Sequence, residues 1–356
     1  MRCAVSKIQK IIESKKHYDD VNLLERMEDS RVNAISIALI DNFEIIETYT
    51  HGLKQQGRAD IVTPDTLFQA ASISKAVFAV AVMRMAEHGI LHIDTDISEY
   101  LVGYTVPTFD NQKHKITLRQ ILSHNAGLSI HGFAGYEQGQ DVPTIEHILT
   151  GARPANHLKL KLEKAPETGH QYSGGGYVLA QKIVTDICKA NFCDLMDEWV
   201  LLPLGMTRST FAQPLPAERL GEIAFGYNAH DLALPGGYDI MPELSAAGLW
   251  STPSDLARLG ISIMQALNDK DALLKKETAT LMTTTAYENS RHGVGFVVGE
   301  SKKGAIFGHS GYNDGFVSNM TFCPRDGSGI AIMTNTNIGD DVVFEVTDAF
   351  KDLYGW

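Results

Sequence analysis

Residues 72–89 read SISKAVFAVAVMRMAEHG, a stretch that predicts a buried helix beginning beside a serine and a lysine. The segment after Lys75 is apolar nearly all round and ends at Gly89, a residue type that commonly stops a helix. Positions i and i+3 share one helical face, so the Ser72 hydroxyl and the Lys75 amine can meet. Burial and the positive helix start favour a neutral amine, which could take the serine proton and create a nucleophile for acyl transfer.

The same residues also allow a simpler interpretation. Ser72 can be a helix N-cap, and Lys75 can be a solvated residue of the first turn. A Ser-x-x-Lys spacing is expected about once by chance in a chain of this length. The catalytic interpretation therefore needs a base and an oxyanion site elsewhere in the sequence.

The composition is that of an ordinary globular enzyme. The chain has 356 residues, of which 44% are hydrophobic and 21% charged, and its net charge is −12 from 31 basic and 43 acidic residues. This acidity, with no large Lys/Arg cluster, disfavours nucleic acid and acidic membrane surfaces as partners. The longest apolar run, residues 76–83, is too short to span a bilayer. Because the first residues lack a hydrophobic signal region, we expect a cytoplasmic protein, or an exported one whose leader has been removed.

The cysteines and histidines predict neither a disulfide framework nor a metal site. Cys188 and Cys193 are five residues apart in a helical pattern, a spacing that suits neither role. We expect these two, with Cys3 and Cys323, to be packing residues in a reducing compartment. The 13 histidines are scattered without ligand spacing, so no metal or other cofactor is expected.

Strand patterns lie at both ends of the chain and helical patterns between them. Residues 5–27 predict one amphipathic helix, followed by strands at 33–40 and 44–50 with a turn at Asp41-Asn42. Further strands are predicted at 294–299, 305–308, 316–323 and 329–334, and a closing helix at 341–354. The sequence therefore predicts an α/β (α+β) fold, in which both chain ends build an antiparallel sheet flanked by helices and a mostly helical domain is inserted. We expect residues 1–89 and 238–356 to form the sheet domain, residues 90–237 the helical domain, and the active site to lie at their interface.

Two further motifs carry possible chemistry. Tyr172-Ser173-Gly174 puts a phenol in a loop, although the glycines that follow could be only a tight turn before a helix. Gly308-His309-Ser310-Gly311-Tyr312 closes a predicted strand, where His309 could equally be a satisfied strand-edge histidine. It is not a nucleophile elbow, because Tyr312 stands where the last glycine should be.

Together these motifs resemble those of the penicillin-recognising serine hydrolases, in the branch of class C β-lactamases, D-alanyl-D-alanine carboxypeptidases and esterases. That family carries Ser-x-x-Lys, Tyr-x-Asn and Lys-Thr-Gly or a histidine variant in this order. Residues 118–128, 203–206 and 246–251 also look like the family, and the resemblance spans residues 32–336.

The resemblance implies a role for each matching residue. It makes Ser72 the nucleophile, Lys75 its proton acceptor or the tuner of the site, and Tyr172 the proton shuttle to the leaving group; which of Lys75 and Tyr172 is the base stays open. The backbone amides of Ser72 and Tyr312 would form the oxyanion hole. Substrate would be bound by the wall residues of the motifs and of the stretch at 118–128, namely His309, Ser310, Gly311, Gln120 and Gly174.

Two departures from the family pattern concern the substrate. Gly174 replaces the asparagine that contacts the lysine and the substrate amide, and glycine can do neither. His309 replaces the lysine, so a fixed cation for a β-lactam carboxylate is missing. Both changes fit a D-amino-acid peptidase, an esterase or an amidase better than an efficient β-lactamase.

We therefore expect a cofactor-free serine hydrolase that forms an acyl-enzyme at Ser72 and acts on a small ester, amide or D-peptide. Three alternatives share the scaffold. They are an acyltransferase, a penicillin-binding sensor whose covalent β-lactam adduct is released slowly, and a catalytically inactive homologue.

Overall fold

The computed structural model describes residues 6–13, 22–288 and 290–356 of the chain. The strands are β1 (Ala34–Asp41), β2 (Glu44–Gly52), β3 (Phe68–Gln69), β4 (Trp250–Ser251), β5 (Val297–Ser301), β6 (Gly304–Asn313), β7 (Phe316–Cys323) and β8 (Ser328–Thr334). The helices are α1 (Lys7–Ile12), α2 (Leu23–Asp29), α3 (Ile73–Glu87), α4 (Leu118–Leu122), α5 (Ile145–Thr150), α6 (Gly174–Cys188), α7 (Phe192–Met196), α8 (Leu244–Ala247), α9 (Pro253–Leu267), α10 (Lys276–Thr283) and α11 (Asp340–Tyr354). Short irregular helical turns lie at Ile97–Glu99, Asp197–Leu201, Ala217–Glu222 and Pro235–Gly237.

The main sheet has six antiparallel strands in the order β2-β1-β8-β7-β6-β5, so both ends of the chain contribute to it, and the predicted fold class is confirmed. The register places Ile37 of β1 opposite Ile332 of β8, which joins the first strand to the last. At the tip of the first hairpin, Asn42 and Phe43 both have positive φ, as a two-residue turn requires. The predicted turn is therefore correct to within one residue.

The prediction of one continuous N-terminal helix is wrong, because two separate helices lie there. α1 ends at Ile12, and α2 begins after Asn22, whose side chain accepts hydrogen bonds from the Leu24 and Glu25 amides. The Glu25 carboxylate accepts one from the Asn22 amide in return, so this capping box starts a separate helix. Val5 and residues 14–21, which the prediction also covered, lie outside the described residues.

Strand β6 differs from its predicted range in a way that matters for the site. It runs through Asn313, five residues beyond the predicted end, so His309, Ser310, Gly311 and Tyr312 lie inside a strand and not after one. Because side chains alternate between the faces of a strand, two of these four point to each side of the sheet.

Each face of the main sheet has its own apolar core. One core contains residues of α1, α2 and α11, such as Phe350, packed with Ile35 and Ile330. The other is larger and contains α3, α6, α9 and the buried side of β6 and β7, including Phe78, Tyr177 and Trp250. This larger core runs through both predicted domains, and the division at residues 89 and 238 stays a prediction.

No helix of the described residues has the length and apolarity needed to cross a membrane. Cys188 and Cys193 are free and half-buried and Cys323 is free and buried, whereas Cys3 lies outside the described residues. The cytoplasmic location stays an expectation.

Candidate active site

Ser72 immediately precedes helix α3 and keeps its hydroxyl free of helix capping. Its backbone is right-handed helical, with no capping hydrogen bond from the side chain. The preceding Ala71 has a φ of 50°, an uncommon conformation for a residue with a Cβ and one that clusters at functional sites. Ser74 supports this turn, because its hydroxyl donates to the Ala71 carbonyl oxygen at 2.5 Å and accepts from the Leu249 amide.

Lys75 is buried against Ser72, which rules out the interpretation of a solvated lysine. Its side chain is 2% exposed, and Nζ lies 3.0 Å from Ser72 Oγ and donates to the Ala246 carbonyl oxygen at 2.7 Å. Burial lowers the pKa of Lys75 to about 7, because an ammonium is poorly solvated inside the protein. A neutral amine that donates to Ala246 can turn its lone pair towards Ser72.

Tyr172 joins the pair from a distant part of the chain. Burial raises the pKa of Tyr172 to about 12, and a hydrogen bond to Ser72 acts in the opposite direction with a smaller effect. Lys75 Nζ lies 5.0 Å from the centroid of the Tyr172 ring. A hydroxyl, an amine and a phenol from three different parts of the chain therefore surround one small space.

The structure shows why residues 173–176 are small. Ser173 caps helix α6: its hydroxyl accepts from the Gly176 amide and donates to the Ser129 carbonyl. The glycines form the first helical turn and not a separate tight turn. A Cβ on Gly174 would lie 2.8 Å from Phe133 Cε2 and 3.1 Å from the His131 carbonyl oxygen. Phe133 therefore occupies the space into which a side chain at position 174 would extend.

The side chains of the third motif, residues 308–312, lie on both faces of β6. His309 and Gly311 face Ser72: a Cβ on Gly311 would lie 2.2 Å from the Ala70 carbonyl oxygen. Ser310 lies on the opposite face, where its hydroxyl donates to Asn319, which in turn bonds Thr347 of α11. The Tyr312 side chain, also on that face, is half exposed, so only its backbone belongs to the strand edge beside Ser72. The pairing between β5 and β6 ends at Gly308, and the edge of β6 continues beyond it.

His309 is a neutral, buried histidine with one unused ring nitrogen. It is 5% exposed, and Nδ1 lies 2.6 Å from the Ser310 carbonyl oxygen. Since a carbonyl oxygen only accepts, Nδ1 carries the proton and donates. Burial, reinforced by the charge of Lys75, lowers the pKa of His309 to about 3. Nε2 is buried and has no hydrogen-bond partner among the described residues.

The Gln120 side chain bonds other residues than Ser72, Lys75 and Tyr172. Its Oε1 accepts from the Thr117 amide in a capping box at the start of α4, and its Nε2 donates to Glu167 at 2.8 Å. Both ends of the amide are occupied by intramolecular bonds. These bonds give Gln120 a structural role, and its expected substrate contact stays a prediction.

Sequence reasoning missed His124, which supports Tyr172 directly. The two rings stack with centroids 4.1 Å apart, and His124 Nδ1 accepts from the Ser173 amide at 3.0 Å. Its φ of 60° turns the chain at the end of α4. Burial holds the pKa of His124 well below its usual range, so the ring is neutral, and because Nδ1 accepts a hydrogen bond its single proton is on Nε2. The stretch at 118–128 resembles the family, but no local signal in it distinguishes His124 from its neighbours.

Four of the apparently scattered histidines lie around the Tyr172 ring, and a fifth packs against this group. Besides His124, the ring of His131 lies 4.8 Å from it, and those of His292 and His309 lie 6.2 and 6.4 Å away. His170 stacks on His292 at 4.6 Å and completes the set. In the described part of the chain no His, Cys, Asp and Glu side chains form a group of three that could hold a metal ion.

Comparisons with known proteins agree with this architecture. The family model described as Beta-lactamase matches residues 21–350. Penicillin-binding protein 4 of Amycolatopsis lactamdurans is 23% identical over 324 residues, which cover 85% of this chain and 80% of that protein. Protein flp of Staphylococcus aureus strain N315 is 22% identical over 326 residues, or 87% of this chain and 61% of that protein.

Solved structures show the same fold. The octameric penicillin-binding protein homologue of Pyrococcus abyssi superimposes with a TM-score of 0.77 at 22% identity, over 94% of this chain and 76% of that one. The D-amino acid amidase of Ochrobactrum anthropi SV3, complexed with L-phenylalanine, gives a TM-score of 0.74 at 20% identity, over 98% and 99% of the two chains. The family model matches most of this chain, and the fold agrees with that match. This chain therefore belongs to the Beta-lactamase family and is a serine hydrolase of the penicillin-recognising superfamily.

Proposed function

We propose that the chain hydrolyses small esters, amides or D-amino-acid derivatives through an acyl-enzyme at Ser72. The observation that carries this proposal is the convergence of Ser72 Oγ, Lys75 Nζ and the Tyr172 phenol around one small, partly buried space. The likeness to a D-amino acid amidase supports this substrate class through the fold alone.

Acylation begins when Ser72 Oγ attacks the substrate carbonyl carbon. A C–O bond forms, the Ser72 proton moves to Lys75, and the bond to the leaving amine or alcohol then breaks. Tyr172 gives its proton to the leaving group and regains one from Lys75. The pKa of about 7 at Lys75 and of about 12 at Tyr172 favours the lysine as the initial base, because almost no phenolate exists at neutral pH.

Deacylation reverses these proton movements. Water adds to the acyl carbon, the ester bond to Ser72 breaks, and Ser72 recovers its proton. We assign the oxyanion hole to the amides of Ser72, at a helix start, and of Tyr312, on the β6 edge. The wall of this site consists of His309, Gly311 and Gly174 with Phe133 behind it.

The test uses a chromogenic acyl ester and the Ser72→Ala variant. We expect the variant to lose turnover by at least a thousandfold and the wild type to gain one acyl mass on Ser72 under rapid quench. Turnover by Ser72→Ala at the wild-type rate would reject the proposal. In a second experiment the protein is mixed with benzylpenicillin and its intact mass is followed over time. A long-lived adduct indicates a sensor, whereas prompt return to the native mass indicates turnover. Addition of an acceptor alcohol reports transfer in place of hydrolysis.

A further inference from the structure

A groove outside the site around Ser72 lies between the segments 104–108 and 159–162. Its cavity has a volume of about 560 Å³, which is within the range of ordinary ligand pockets. The end of helix α5 completes the lining. The apolar side chains of this lining are those of Tyr104, Val106, Pro107, Leu149, Leu160 and Leu162. The groove therefore offers apolar contact to a ligand that none of the catalytic residues would touch.

One wall of the groove, the segment 159–162, is paired along one edge only. The Lys161 amide donates to Ser129 Oγ at 2.8 Å, and the Lys161 carbonyl accepts from the Ser129 amide at 2.9 Å. Because the backbone groups of successive residues point to opposite edges of an extended chain, those of Leu160 and Leu162 point away from Ser129. The Leu160 amide donates to the carbonyl of Leu149, a lining residue, so this second edge faces the groove.

The second edge keeps three backbone groups without a protein partner. The Leu160 carbonyl and both backbone groups of Leu162 make no hydrogen bond with the described residues. The opposite wall, 104–108, has no regular secondary structure, and its backbone groups make none either. A polypeptide lying between the walls would meet free donors and acceptors, which is the arrangement that binds peptides by strand addition.

Two lysines give this open edge a charge. Lys159 and Lys161 are exposed, whereas Leu160 and Leu162 between and beside them are buried, as alternation along an extended chain requires. Neither lysine side chain forms an ion pair or a hydrogen bond with another described residue. A neighbouring strand with acidic side chains opposite them would be attracted, and one with basic side chains would be repelled. The same repulsion opposes pairing with this edge of a second copy of the chain.

We propose that the groove between 104–108 and 159–162 binds an extended acidic segment of a partner protein by strand addition. The segment runs antiparallel to 159–162, with apolar side chains in the cavity and acidic side chains beside Lys159 and Lys161. Backbone bonds to Leu160 and Leu162 hold it, and the lysines select its charge. The proposal goes beyond the proposed function, since it requires nothing of Ser72. Ser72→Ala should lose ester turnover and bind the segment as the wild type does.

The first test uses two fluorescein-labelled peptide amides, Glu-Val-Glu-Val-Glu and Lys-Val-Lys-Val-Lys, and measures binding to the wild-type protein by anisotropy. We expect the acidic peptide to bind at least tenfold more tightly than the basic one, with an affinity that falls as salt is added. In an antiparallel pair the valine N–H groups face Leu160 and Leu162. Methylation of both valine nitrogens keeps the charge but removes these donors, so it should weaken binding at least fivefold.

Three results of this test would overturn the proposal. One is the absence of saturable binding of the acidic peptide up to about 1 mM. The second is equal affinity for the acidic and basic peptides. The third is equal affinity for the acidic peptide and its N-methylated form, which would show a general attraction between charges without strand addition.

Charge reversal locates the binding. Lys159→Glu combined with Lys161→Glu should reverse the order of affinities, so that the basic peptide binds more tightly than the acidic one. Both side chains are exposed, so the variant should fold. Lys10→Glu combined with Lys302→Glu makes the same change in net charge at other exposed positions and should keep the wild-type order. An order that the first variant leaves unchanged, or that the control also reverses, contradicts the proposal.

Discussion

Gly311 on β6 and Ala70 ahead of helix α3 approach so closely that a Cβ on Gly311 would lie 2.2 Å from the Ala70 carbonyl oxygen. The Ser318 hydroxyl, from the neighbouring strand, donates to the same oxygen at 3.0 Å. Strands β6 and β7 thus fix the segment that leads into Ser72. This contact sets the width of the cleft between the nucleophile and the strand.

Gly311→Ala should separate β6 from the segment at Ala70. We expect a loss of roughly 1–3 kcal/mol in the free energy of unfolding, as for other overpacked sites, and a loss of about a hundredfold in kcat/KM from misplacement of Ser72. Gly299→Ala is the matched control, since its added Cβ would meet Ile306 at an ordinary 3.6 Å. Urea unfolding and ester turnover measure both effects. Full activity of Gly311→Ala would contradict the assigned contact.

Lys75→Met should abolish turnover and yet stabilise the fold. The folded pKa of about 7 lies below the unfolded value, so the unfolded chain binds more protons between pH 7 and about 10. The burial of Lys75 therefore lowers the free energy of unfolding by its full amount below pH 7, and by progressively less as the pH rises towards about 10. Removal of the amine should raise the free energy of unfolding by on the order of 1–3 kcal/mol at pH 7, and the lost hydrogen bond to Ala246 partly offsets this gain. Urea titrations of the variant and of the surface control Lys302→Met test this; a less stable Lys75→Met contradicts it.

The rate of ester hydrolysis should depend on pH through Lys75. The amine accepts the Ser72 proton only when neutral, so kcat/KM should rise about tenfold per pH unit below pH 7 and level off above it. Tyr172 titrates at about pH 12, so no alkaline decline is expected below pH 10 from this residue. Initial rates from pH 5 to 10 at constant ionic strength provide the profile. A flat profile between pH 6 and 8 would argue against Lys75 as the base.

His124 should contribute to the rate by holding Tyr172 in place. His124→Asn tolerates the positive φ but removes the stacked ring, whereas His124→Phe keeps a ring but loses the acceptor for the Ser173 amide. We expect each to lower kcat by about 10- to 100-fold with a smaller change in KM, because proton delivery by Tyr172 needs its position. Wild-type kcat in both variants would show that Tyr172 is positioned by other contacts.

The buried imidazoles should make the fold sensitive to acid. Burial lowers the pKa of His292 to about 4, below its unfolded value near 6.5, so the unfolded chain takes up a proton first as the pH falls. Stability is therefore lost between pH 6.5 and 4. His292→Phe should reduce this loss by about 1–2 kcal/mol at pH 4.5 compared with pH 7. The exposed His230→Phe serves as the control, and equal acid sensitivity of His292→Phe and wild type would contradict the assignment.

Much of the fold was predictable because its signals are local. Helix α3 and the strands at both chain ends follow from the apolar period and from turn residues within a few positions. The prediction joins α1 and α2 because apolar positions recur on both sides of the largely polar stretch 13–20, and it overlooks the cap at Asn22 that starts a new helix. The β6 extension was missed because His309 to Tyr312 carry no apolar alternation.

The sequence by itself determined the family, the antiparallel sheet and the candidates Ser72, Lys75 and Tyr172, because motif order and short-range periodicity are written along the chain. Only the tertiary structure decided which atoms meet: that Lys75 is buried against Ser72, that Ser310 turns away while His309 turns in, that Gln120 bonds Thr117 and Glu167, and that four histidine rings lie around Tyr172. The physical reason is that desolvation and side-chain contact depend on segments that are distant along the chain, and no local pattern specifies how those segments pack.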